Sequence, residues 1–181
     1  ILTVALMLVA DAQRAGDNVA WVTDRHTAFY AIDALAIDLA ALPIIRAPDA
    51  ARAGRAASHL LRSGAFGLVV LDLAPFADGD RRRTPEARFA NDLPLPLQSR
   101  LSGLAQKHGT LFTVLTTKSS EAPSLGSLVS LHARVSRSTA RPTLDADGQL
   151  RVAVDVAMVK DKRHGPGWHY TRTFRAPDGI T

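Results

Sequence analysis

Apolar and polar positions change rhythm twice along the chain. Residues 1–15 place Ile1, Val4, Leu8 and Ala12 at helical spacing, and Gly16 is a natural stop. NVAWVTD, residues 18–24, has the β-branched and aromatic density of a strand. A helix is expected over 27–36 and a short strand over LPIIR, 42–46. Asp49 can cap a helix running to Ser63, which Gly64 then ends. FGLVVLDL, 66–73, is a continuous apolar run of the kind found in central parallel strands, which are buried on both faces. Residues 74–92, with Pro75, Pro85 and the run DRRR at 80–83, read as a loop. Next come a helix from Leu95 to His108, a strand TLFTVLTT at 110–117 and a loop rich in Ser, Pro and Gly at 118–127.

The period then becomes two. LVSLHARV (128–135) alternates Val129, Leu131, Ala133 and Val135, and LRVAVDVAMV (150–159) alternates Leu150, Val152, Val154, Val156 and Met158. WHYTRTF (168–174) places Trp168, Tyr170 and Phe174 on one face, and DADG (145–148) is a good hairpin turn. Such alternation marks antiparallel strands with one wet face. The order predicts an α/β fold: a mostly parallel sheet flanked by helices, with a C-terminal antiparallel β extension. No internal repeat is visible, and 181 residues read as a single domain, 1–181. The chain opens without a methionine, so further residues are expected upstream of Ile1 in the parent protein.

Composition narrows the class. At 46% hydrophobic and 22% charged residues, the chain is that of a globular protein. It has no cysteine, which excludes disulfides and thiolate metal sites and suits a reducing, cytoplasmic setting. The first apolar run has only ten residues before Asp11, too short to span a bilayer, so no membrane partner is expected. The net charge of +5 favours polyanionic partners, although arginine richness has compositional origins as well. Six histidines form no HExxH pattern, and there is no GxSxG nucleophile motif.

One carboxylate stands out. Asp72 ends the most apolar strand of the chain, where a turn residue would suffice but where open α/β sheets also place their ligands. No GxxxxGK[ST] phosphate loop occurs in these residues. HGPGWHY (164–170) reads as a turn into a strand, and an exposed Trp168 beside Arg163 and His164 would form a contact surface.

These segments, in this order, resemble the ATP-binding core of the RecA family. VADAQRAGDNVAWVTD is similar to the helix and strand after the RecA phosphate loop, and LLRSGAFGLVVLDL to the segment ending in the magnesium-holding aspartate. LAQKHGTLFTVLTT is similar to the next helix and strand, and RVAVDVAMVKDKRHGPGWHYTRTFRAPDGI to the closing hairpin with its paired lysines. Within the superfamily, TTKSSEAPSLGSLVSLHARV looks most like ImuA, the RecA-like accessory protein of mutagenic polymerases.

The resemblance implies that Asp72 would hold the magnesium of ATP. Ile1 and Leu2 stand where the family has its loop lysine and magnesium-binding hydroxyl, and Arg25 where it has the water-activating glutamate. Thr117 replaces the glutamine that senses the γ-phosphate, while Lys160 and Lys162 match lysines that reach a neighbouring subunit's ATP. An arginine cannot accept a proton from water, so hydrolysis is not expected. Arg81, Arg82, Arg83 and Arg88 in one loop, and Lys118 in the next, stand where the family binds DNA; a merely solvated basic loop is the plainer account of the first. Those loops carry only Phe76 and Phe89 as stacking aromatics.

The resemblance implies a non-catalytic accessory protein of SOS-induced translesion DNA synthesis. It would bind RecA and an ImuB-like Y-family polymerase homologue, and DNA through the basic loops. No cofactor is implied unless an intact upstream phosphate loop brings Mg-ATP. The alternatives are a DNA-dependent ATPase or recombinase with that loop upstream of Ile1, and a SulA-type cell-division inhibitor.

Overall fold

The computed structural model describes residues 1–24, 36–74, 93–117, 125, 128–138, 143, 144, 146, 148 and 150–175. Helix α1 (Leu2–Arg14) buries Ala5, Leu6, Val9 and Ala10 along one stripe. The chain turns through Gly16, at φ 84°, into strand β1 (Val19–Thr23). After β2 (Ile44–Arg46), helix α2 (Ala50–Ser63) starts where the Asp49 carboxylate accepts the Arg52 backbone N–H at 2.7 Å. It ends at Gly64 in the left-handed region, φ 66°. Strand β3 (Leu68–Asp72), helix α3 (Leu95–His108) and strand β4 (Leu111–Leu115) complete this half.

The four strands pair in parallel, in the order β2-β1-β3-β4. Every residue of β1 and β3 is buried, and both strands are apolar up to their last residues, Thr23 and Asp72. Their side chains alternate between two helical layers. Val19, Trp21, Leu68 and Val70 pack with α1, and Val22, Val69 and Leu71 with α2 and Leu101 of α3. Small residues on α2 bring it close to its neighbour: a Cβ on Gly54 would lie 2.8 Å from Leu97 Cδ2. The result is a helix–sheet–helix sandwich with a core on each side of the sheet.

The antiparallel strands form a sheet of their own. β7 (Leu150–Asp161) is its spine, pairing with β5 (Leu131–Arg137), β6 (Thr143–Leu144) and β8 (His169–Arg175). The short β6 was not anticipated; two residues, Thr143 and Leu144, are too few for a period to show. Val152, Val154 and Val156 stand opposite Phe174, Arg172 and Tyr170, so the expected single face of β8 is present. A bulge falls between His132 and Ala133. Among the described residues Met158 is the one apolar side chain of this sheet that is buried. The α/β architecture, parallel sheet plus antiparallel strands, is as expected. The helix expected over 27–36 and nearly all of the 74–92 loop lie outside the described residues.

Candidate functional site

Asp72 closes β3 at the carboxyl edge of the parallel sheet. Val22 is in register with Leu71, so the next positions, Thr23 and Asp72, stand side by side, and Asp72 faces Leu115 on its other flank. Only 4% of Asp72 is exposed, and Thr23 is fully buried. The Thr23 hydroxyl donates to Asp72 Oδ2 over a long 3.5 Å, and the Ala74 backbone N–H donates to Oδ1 at 3.1 Å. The second bond is a local turn of the kind aspartate forms with the amide two residues on. Asp72 therefore does perform the plain turn-forming job that its position allows.

Its electrostatics go further. Burial pushes the Asp72 pKa up to about 6; the Ala74 amide and the Thr23 hydroxyl pull it back, and the Asp24 carboxylate adds to the rise. Ile1, which precedes the first turn of α1, lies close to Asp72. The amino end of a helix and two carboxylates thus share this edge, where a helix dipole favours negative charge. Thr23 was missed from the sequence. Its partner is 49 residues away, and the only local signal was a hydroxyl ending an otherwise apolar strand.

Magnesium takes oxygen ligands and is held by one or two carboxylates plus phosphate oxygens and waters. Asp72, Asp24 and Thr23 offer oxygens of that kind. Among the described residues no group of three histidines or carboxylates could hold a metal alone. The donor set fits magnesium only when phosphate completes the shell.

Of the other described site residues, Thr117 follows the strand that flanks Asp72, and the two lysines lie elsewhere. Thr117 is exposed, two residues beyond the end of β4. Lys160 and Lys162 belong to the other sheet: Lys160 pairs with His132, and the Lys162 backbone N–H donates to the Ser130 carbonyl at 3.1 Å. Arg25, Arg81, Arg82, Arg83, Arg88 and Lys118 lie outside the described residues.

A second cluster closes the β7–β8 loop. Asp161 Oδ1 accepts the backbone N–H groups of Arg163 (2.8 Å) and His164 (3.1 Å), and Oδ2 meets His164 Nδ1 (3.2 Å) and the Trp168 indole N–H (3.3 Å). The Arg163 amide, then the His164 amide, lead in holding its pKa down to about 2. No described helix is long and apolar enough to cross a membrane.

No protein-family model matches the chain. Over 125 residues it is 34% identical to the protein RecA of Corynebacterium jeikeium (strain K411), a match covering 64% of this chain. The chain spans less than a third, 31%, of that relative's length. With the parallel sheet and its strand-end aspartate, this supports a RecA-like relationship.

Proposed function

We propose that the chain is a RecA-like accessory protein that acts by binding rather than by turning over ATP, in DNA-damage-induced translesion synthesis. Its partners would be RecA and a Y-family polymerase homologue of the ImuB kind. A protomer-like face without a hydrolytic switch would dock on a RecA filament end and limit its growth. The observation that carries this reading is the state of Asp72. Asp72 is buried and one of its oxygens, Oδ1, already accepts the Ala74 amide of its own turn, so the carboxyl is engaged in closing the strand end. Arg25 and Thr117, standing where groups that act on water and the γ-phosphate are needed, point the same way.

Phosphate release, measured with and without single-stranded DNA, is expected to stay at background. Robust DNA-stimulated turnover would overturn the reading. Immobilised chain is expected to retain RecA and the polymerase homologue from a mixture of purified proteins; failure to retain RecA would remove the accessory role. The approach of Ile1 to Asp72 favours a second reading, in which Mg-ATP binds at this edge. Magnesium-dependent binding of a fluorescent ATP analogue that is lost in Asp72→Asn would establish it.

A further inference from the structure

The antiparallel sheet leaves an aromatic row in the open. Trp168 follows the β7–β8 loop in register with Met158, whose backbone N–H donates to the Trp168 carbonyl at 2.9 Å. With Tyr170, Arg172 and Phe174 standing opposite Val156, Val154 and Val152, the period of two puts Trp168, Tyr170, Arg172 and Phe174 on one face. Trp168 is 45% exposed and Tyr170 54%. Trp168 and Tyr170 stand about 7 Å apart along the strand, and Phe174 follows beyond Arg172.

Two contacts hold parts of the row in place. The bond to Asp161 fixes the plane of the Trp168 indole, so docking against it loses little rotamer freedom. The Arg172 guanidinium lies over the Phe174 ring, 5.8 Å from its centre, presenting a flat cation beside the rings. No described helix packs extensively on this sheet.

The charge around the row selects the occupant. Lys162 and Arg163 are exposed at the head of the row and Arg172 lies within it. Of the two described carboxylates of this sheet, Asp155 pairs with Thr171 on the opposite face, and Asp161, 8% exposed, keeps its charge beneath the Trp168 indole. An apolar helix of a partner protein would use the valines but not this rim, where the exposed cations Lys162, Arg163 and Arg172 outnumber the one largely buried carboxylate, Asp161. Flat aromatic faces at strand spacing, with cations beside them, match unstacked bases on a phosphate backbone. We infer that the Trp168–Phe174 face of β8 is a stacking platform for single-stranded nucleic acid, separate in sequence from the arginines of 74–92 and from Lys118.

The test is fluorescence anisotropy of a labelled ~20-nucleotide oligothymidylate titrated with the chain. Tyr170→Ser is expected to weaken binding roughly tenfold, and Tyr170→Phe, which keeps the ring, to leave it within about twofold of the original. Replacing Lys162 and Arg163 together by Ala should flatten the dependence of log affinity on log salt by about 1.4. Trp168 emission, obtained by difference from Trp168→Phe, should be quenched by oligothymidylate and not by polyglutamate. Equal affinity of Tyr170→Ser and the unaltered chain, with unchanged near-ultraviolet circular dichroism, would overturn the proposal. So would a failure of the unaltered chain to bind at low salt, or equal quenching by polyglutamate. A loss of ATP or RecA binding would leave these outcomes untouched, because they do not depend on the Asp72 edge.

Discussion

Two aspartates of this chain end a strand and accept a backbone amide two residues on, yet they ionise in opposite senses. Asp72 is buried with one amide, one distant hydroxyl and a like charge, so burial prevails and its pKa rises to about 6. Asp161 gathers two amides, an imidazole and an indole, and its pKa falls to about 2. The folded Asp72 holds its proton over a range where the unfolded one, near 3.9, has lost it. Its burial therefore costs stability as pH rises from about 4 to 6, to a total of about 3 kcal/mol above that range. Asp72→Asn is expected to raise the urea midpoint at pH 8 and leave it nearly unchanged at pH 4. Equal midpoints for both proteins at pH 8 would mean that the carboxylate is already compensated there. For Asp161 the sign reverses: its contribution is complete above about pH 4 and disappears as pH falls through about 2. Trp168 emission should therefore shift in that acid window, and Asp161→Asn should show the acid spectrum at pH 7.

At the scale of elements, α2 shows how local signals were enough. Asp49 was visible as a cap and Gly64 as a stop, and both bound the helix as expected. Asp49→Ala should cost about 1 kcal/mol, and Gly64→Ala a further 1–2 kcal/mol, because an L side chain is strained at φ 66°. Thermal melts of the two variants and of their double mutant would show near-additive losses, as the sites are a full helix apart. β8 was legible by the same means: the alternation of Trp168, Tyr170 and Phe174 fixes its face whatever it packs on. What escaped the sequence were relations between elements. The Thr23–Asp72 pairing depends on the register of β1 with β3, and the Trp168–Asp161 bond on a loop that folds back over seven residues. No periodicity encodes a register between strands distant in sequence. The arginines proposed for DNA contact stand in segments without apolar rhythm, so charge was their only signal.

For the whole molecule, the change of rhythm at about residue 128 marks a division in how the chain is held together. Both apolar cores belong to the parallel sheet and its helices, with Val19, Trp21, Val69 and Val70 wholly enclosed. The antiparallel sheet relies on its backbone ladder, and of its apolar side chains among the described residues Met158 alone is buried. Apolar burial contributes roughly 25 cal/mol per Å², so the first half has most of that source of stability and the second little. Amide hydrogen exchange should then separate the two. Protection of β1 and β3 is expected to approach the free energy of global unfolding, whereas β8, an outer strand, should exchange by a cheaper, local opening. Because the proposed nucleic-acid platform lies on that loosely held strand, a bound oligonucleotide should slow exchange in β8 far more than in β1 or β3. Uniform protection of both sheets in the unliganded chain would show that the antiparallel sheet is locked to the sandwich. The exposed rings of β8 would then have to be explained without any freedom to adapt to a ligand.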